Sequence, residues 1–128
     1  MTIETHEALN RELCGEVFEH EPGRACVRLT TTPAMVADAR GLVHGGFVFG
    51  LVDHAAMVAV NHPLVVLGSA DVRFTAPVRV GDEVIASAQR VEEKGKKHVL
   101  EVTARVGERE VMKGTMVAFV LERHVLDG

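Results

Sequence analysis

The chain has 128 residues, 47% of them hydrophobic, and a formal net charge of −4. That suits one folded domain, residues 1–128, with one core, and argues against disorder. The negative balance, with five phenylalanines and no tryptophan or tyrosine, leaves neither the basic surface nor the stacking groups that nucleic-acid binding uses.

Residues 1–7 have no basic region and no apolar run, so they do not read as a secretory signal. Cys14 and Cys26 are the only cysteines and make no disulfide framework; a reduced, cytoplasmic protein is expected. Residues 4–13 read as a short helix, with Leu9 and Leu13 one turn apart. Residues 16–19 read as a short strand. Glu21-Pro22-Gly23-Arg24 is a turn signal. Over residues 25–31, Ala25, Val27 and Leu29 alternate with Arg28 and Thr30, the period of a half-buried strand. A loop over residues 32–43 follows. It contains Asp38 and is long enough to line a site.

The next stretch is the most informative. From Gly45 to a stop before Pro63 the chain reads as one helix, since proline neither donates the next backbone bond nor fits there. The helix is apolar on all sides and is therefore expected to be buried on all sides. The apolar run over residues 47–60 is too short for a membrane span and carries Asp53 and His54 at its centre. At 100° per residue, Gly46, Gly50, Asp53 and Met57 share a stripe. Glycine inside a helix costs about 1 kcal/mol against alanine, so Gly50 requires a reason. Either a neighbouring strand comes close and Asp53 is a satisfied buried acid, or the glycines leave room for a ligand beside a working carboxylate. His44-Gly45-Gly46 opens the helix, where the first N–H groups lack intrahelical partners and attract negative charge. Asp53 lies roughly 10 Å further along at 1.5 Å per residue. One chain does not readily bring both onto one reacting atom, whereas two antiparallel copies would.

Beyond Pro63, Val66, Gly68, Ala70, Val72 and Phe74 alternate with Leu67, Ser69, Asp71 and Arg73. Strands follow over residues 84–92, 99–106 and 111–121, with turns at Lys94-Gly95-Lys96 and near Gly107-Glu108. Consecutive antiparallel strands with hairpin-length loops after one buried helix predict an α+β domain whose sheet covers the helix.

Other chemistry fits poorly. Ser69 and Ser87 stand in no Gly-x-Ser-x-Gly elbow. Asp53 and His54 point about 100° apart. His44, His54 and His62 lack the i, i+4 spacing of a helical zinc site, and the glycines match neither dinucleotide nor phosphate-loop spacing. No metal is expected.

His44-Gly45-Gly46, followed by Leu51 and Asp53, resembles the His-Gly-Gly-x4-Leu-x-Asp signature of hot-dog-fold acyl-CoA thioesterases, in particular the phenylacetate-pathway, PaaI-like branch. Phe74-Thr75-Ala76-Pro77-Val78-Arg79-Val80-Gly81-Asp82 looks like that family's lead-in to the strand after the helix, and the resemblance covers roughly residues 12 to 121. It implies a hot-dog fold, one long central helix wrapped by an antiparallel sheet of five to six strands, in a homodimer or a dimer of dimers that shares its sites. It further implies that Asp53 is nucleophile or general base in hydrolysis of an acyl-CoA thioester. The Gly46 N–H of the other subunit would hold the oxyanion. His44 would contact the thioester or be a helix-opening residue bonded to backbone. Asp38 would be an auxiliary group. Gly45, Gly50 and Met57 would border the substrate. Lys94, Lys96 and Lys97 read as a solvated hairpin tip; alternatively those lysines, or Arg73 and Arg79, would meet the coenzyme A phosphates. No cofactor is implied beyond the coenzyme A of the substrate. Two departures stand out. Asp38 occupies a place where the branch commonly has asparagine, and an ionised aspartate only accepts hydrogen bonds. Met57 stands where a related branch has a hydroxyl. Asp38 also favours an alternative, a non-catalytic acyl-CoA-binding regulator or sensor. A hydratase would need a histidine–acid pair that the sequence does not place.

Overall fold

The structure, a computed structural model, describes residues 2–128. In chain order it comprises α1 (Arg11–Cys14), β1 (Glu16–Glu21), β2 (Arg24–Thr30), α2 (Gly45–Val60), β3 (Val65–Phe74), β4 (Glu83–Lys94), β5 (Lys97–Val106) and β6 (Arg109–Val120). The six strands form one antiparallel sheet in the order β1-β2-β4-β5-β6-β3. α2 lies in its concavity, packed most extensively against β2 and β4. This is the expected hot-dog arrangement. Ala25, Val27 and Leu29 of β2, Val84, Ala86 and Ala88 of β4 and Leu100 and Val102 of β5 are sealed against Leu51, Val52, Ala55, Ala56 and Val58 of α2. Alanines on the inner side of β4 let the helix come close without leaving voids. None of the helices is long and apolar enough to cross a membrane among the described residues.

α2 ends as the sequence predicts, with a detail that proline alone does not specify. Asn61 takes the left-handed conformation (φ 51°), and its N–H donates to the Met57 carbonyl at 2.8 Å, a single-residue C-cap that asparagine tolerates. The N-terminal reading is corrected. Only Arg11–Cys14 is helical, because the Asn10 carboxamide oxygen accepts from the Glu12 and Leu13 N–H groups and starts the helix there. The residues before it form an arm along α2. The Glu4 N–H donates to Asn61 Oδ1 at 2.7 Å, and Asn61 Nδ2 donates to the Thr2 carbonyl at 2.9 Å.

Two further corrections concern the surroundings of α2. Segment 74–82 is the exit from the strand after the helix rather than its approach, since β3 already ends at Phe74. The helix is also not buried all round. Gly46 is exposed, and Phe49, Gly50 and Asp53 are only partly covered. One sheet covers one side, and the arm and α1 cover the other side only towards the C-terminal half.

Candidate active site

The start of α2 is held from behind. The His44 N–H donates to the Met35 carbonyl at 2.9 Å, Val43 N–H to the Val78 carbonyl at 2.9 Å and Val80 N–H to the Gly41 carbonyl at 2.9 Å. Segment 77–82 is in turn closed by Asp82, whose Oδ2 accepts the Arg79 N–H at 2.9 Å. Phe47 N–H bonds to the His44 carbonyl at 3.1 Å, whereas the N–H groups of Gly45 and Gly46 find no acceptor among the described residues. They are the orphan donors of the helix end. Gly45 is a packing requirement: a Cβ there would sit 3.2 Å from the Phe74 ring. The His44 ring caps nothing. It lies over Gly46, where a Cβ would meet it at 3.0 Å, and stands edge-on to Phe47 with centroids 6.2 Å apart. His44 is tied into this corner by its own N–H on the Met35 carbonyl, not by its ring. Among the described residues the ring makes no hydrogen bond, because the backbone of the loop already satisfies this corner.

Asp53 sits where the covered half of α2 meets the open half. Its Oδ1 is enclosed with no hydrogen-bond donor in reach. Burial pushes its carboxyl above the ordinary carboxylate range, and the positive charge of His6 partly offsets this. The satisfied-acid reading therefore fails. Gly50, on the same stripe, has nothing within 4 Å of where a Cβ would stand, so no strand of this chain demands a glycine there. The space beside Asp53 is open.

The structure brings together only part of the predicted set. Asp38 Oδ1 accepts the N–H of Arg40 at 2.9 Å and of Leu42 at 3.2 Å, so it shapes the loop leading to the helix. Within the chain the raised Asp53 pKa comes from burial and not from Asp38. Met57 is fully buried in the core and borders no open space, because one turn beyond Asp53 the helix is enclosed. Arg73 pairs in register with Lys113 and shares a shallow outer depression with Asp71, Glu101 and Thr103. The flanking Val72 and Phe74 pair with Gly114 and Met112, and Met112 is in the core. The alternation of the pleat thus puts Arg73 on the face away from α2, and no site within one chain combines it with Asp53.

Three residues on this flank of α2 were given no role in the sequence reading. His54 is buried, and its Nδ1–H donates to the Cys14 carbonyl at 3.0 Å. Burial lowers its pKa, which the bond to Cys14 opposes. The Cys14 thiol is raised by burial and by the Asp53 charge, and His6 hangs over this flank from the arm. The only signal was the periodicity placing Leu9 and Leu13 on a short helix that ends one residue before Cys14. No local pattern says that such a helix folds back on α2.

Residues 40–113 match the family model of the thioesterase superfamily. The chain belongs to the thioesterase superfamily. Within it, this thioesterase-superfamily chain is similar over nearly its whole length to a structure of an uncharacterized protein, PH1136, from Pyrococcus horikoshii (49% identity, TM-score 0.98, covering 99% of this chain and 98% of that one). It also resembles a mutant form of the phenylacetic acid degradation protein PaaI from Thermus thermophilus (27% identity, TM-score 0.78, 87% and 97%). Among curated relatives, methylthioribose-1-phosphate isomerase of Aquifex aeolicus is 49% identical over 114 residues, 89% of this chain but 25% of that protein. The transcription factor FapR of Caldanaerobacter subterraneus subsp. tengcongensis is 28% identical over 119 residues, 92% of this chain and 60% of that protein. The chain thus spans a quarter and about three-fifths of these two relatives, and their two names disagree. What all of them share with it is the domain described above.

Proposed function

We propose that this thioesterase-superfamily chain hydrolyses an acyl-CoA thioester in a site shared by two copies. One observation carries the reading: a carboxylate with an unpartnered oxygen borders an open glycine stripe, while the free donors of the same helix lie seven residues away. At 1.5 Å per residue that is about 10 Å, too far for both to reach one thioester carbon. A second, antiparallel copy closes the gap.

The place for that copy is supported by the sheet. β1 is a short edge with a bulge, and it carries Glu16, Glu19 and Glu21, features that discourage strand addition. β3 is the other edge, ten residues long and largely exposed. Around its end and the start of α2, Phe74, Val36 and Leu42 are 56%, 43% and 40% exposed, an apolar patch suited to burial in a dimer. In the proposed reaction, Asp53 takes a proton from water, the oxygen attacks the thioester carbon, and the Gly46 N–H of the second copy holds the developing oxyanion. Collapse breaks the C–S bond, and the leaving thiolate takes the proton from Asp53 and departs as the thiol. A direct nucleophilic attack by Asp53 uses the same geometry.

The FapR relatives favour a second reading, an acyl-CoA-binding regulator without turnover. Binding of acyl-CoA without release of free thiol would decide for it. The shared site is tested by mixing Asp53→Ala, which keeps its helix start, with Gly46→Val, which keeps its carboxylate. In random heterodimers one of two sites is intact, so about a quarter of parent activity is expected to return. Recovery of none, with heterodimers demonstrated, would exclude the shared site.

A further inference from the structure

At the C-terminal end of α2 the fold gathers polar side chains that the proposed reaction does not use. A cavity of about 470 Å³ lies between the residues that follow the helix, the β4–β5 hairpin and the end of β6. Its walls carry His62, Arg90, Glu93, Lys96, His98 and Glu122. Of the three lysines around the hairpin tip, only Lys96 lines it. Backbone bonds fix these walls. The Val120 N–H donates to the Lys96 carbonyl at 2.9 Å, the Leu121 N–H to the Leu64 carbonyl at 3.2 Å and the Arg90 N–H to the Gly23 carbonyl at 2.7 Å. The side chains thus stand on a settled frame, which lowers the ordering cost of binding.

The two histidines present donors. His62 Nδ1 accepts the Leu64 N–H at 3.0 Å, so in the neutral ring the proton sits on Nε2. His98 points to the α2 side of the sheet, since it pairs in register with the core residue Ala118. It is 5% exposed, and its Nδ1 is sealed off with no partner. A proton there would be a buried donor without an acceptor. The ring therefore carries it on Nε2, the nitrogen that is not sealed off. Neither Nε2–H has an acceptor among the described residues.

Arg90 lies 3.6 Å from Glu93, too long for a strong hydrogen bond. Glu93, Glu122 and Lys96 are exposed, so solvent weakens their charges and the enclosed donors set the preference. The negative end of α2 is partly satisfied as well: the Met57 carbonyl accepts the Asn61 N–H at 2.8 Å and the Ala59 carbonyl the Gly23 N–H at 3.1 Å. The histidines and glutamates do not converge as a metal-binding set among the described residues. Donors without acceptors call for an oxyanion, and a phosphate group has enough oxygens to meet them all.

We propose that this cavity binds a phosphate group, held by the Nε2–H of His62 and of His98, with Arg90 and Lys96 balancing its charge. None of these four residues takes part in the hydrolysis proposed above, so the site stands or falls separately.

The experiment titrates inorganic phosphate into the full chain at neutral pH and fixed ionic strength, with chloride as control, and follows the His62 and His98 ring nitrogens by NMR. In the parent, both rings are expected to shift together and saturate with phosphate and not with chloride. His62→Asn keeps an acceptor for the Leu64 N–H, because an asparagine side chain bonds the N–H two residues on, yet it loses the donor. With His98 as reporter, it is expected to bind phosphate about tenfold more weakly, as for one hydrogen bond to a charged group. Lys96→Gln, at an exposed position, is expected to lose about two- to fivefold. Coenzyme A that moves both rings at lower concentration than inorganic phosphate, while pantetheine moves neither, makes the ligand the phosphate of the coenzyme. Inorganic phosphate that binds at least as tightly as coenzyme A makes it a free phosphate compound. Rings that do not respond to phosphate, or parent affinity in both variants, overturn the proposal.

Discussion

Asp53 is where stability and chemistry pull apart. Its carboxyl is raised above the ordinary 3.8 by burial, with His6 opposing. The folded chain therefore holds a proton that the unfolded chain has lost between 3.8 and the raised value. Stability falls as pH rises through that window, and the penalty persists at neutral pH. Asp53→Asn is thus expected to unfold at higher temperature than the parent at pH 7, an advantage that disappears on acidification, as thermal denaturation at several pH values would show. Asp53→Ala should fold and lose at least about 100-fold in turnover, the low end for a missing general base; parent-like hydrolysis would remove Asp53 from the mechanism. Asp38 holds its loop purely as an acceptor. An asparagine Oδ1 can accept the Arg40 and Leu42 N–H groups as the carboxylate does, so Asp38→Asn keeps the loop. It also removes a negative charge near the helix start and adds a donor. Faster acyl-CoA hydrolysis at neutral pH is expected; a rate about tenfold lower would make Asp38 a working acid–base partner.

At the scale of the element, α2 is a helix with one tolerated defect and one exposed end. Nothing lies within 4 Å of a Cβ at Gly50, so alanine there fits the lone chain and should gain about 1 kcal/mol of helix propensity. If the gap receives substrate or the second copy, Gly50→Ala should still lower kcat/KM or weaken the dimer. A variant that is more stable and fully active would show that the gap is idle. The existence, limits and apolar character of α2 were readable from Gly45 to Pro63. Its incomplete burial was not, because periodicity reports which residues avoid water and not how much neighbouring chain is available to cover them. The same limit hid His6 and Cys14, which meet Val65 and His54 only because the N-terminal arm and α1 fold back along a helix far from them in the chain.

Over the whole molecule, two buried histidines set the acid tolerance of the fold. His54 is lowered by burial against the pull of its bond to Cys14. His98 is lowered by burial with help from Arg90 and His62, opposed by Glu93. Both bind a proton less readily when folded than when unfolded, where the ordinary value is 6.5. The unfolded state binds more protons below that point, so stability falls as pH drops from about 6.5 towards their folded values. Denaturant midpoints at neutral and mildly acidic pH should show a loss that shrinks in His98→Phe. The unpaired β3 edge and the apolar patch at its end predict a dimer by light scattering; an active monomer would rule out the shared site.

What the amino-acid order determined by itself is what depends on near neighbours. That includes the alternating strands, the caps and breakers of α2, the glycines at its start and a carboxylate two turns along the same stripe. These follow from backbone geometry and the cost of exposing apolar groups, and the order of the elements left few ways to arrange them. Tertiary structure alone decided which side of the helix stays open, that Met57 is core while Gly50 faces space, that Arg73 points off the far side of the sheet, and that an N-terminal arm is fixed at Asn61. Each depends on contacts between residues distant in the chain, where burial and charge are properties of the packed whole.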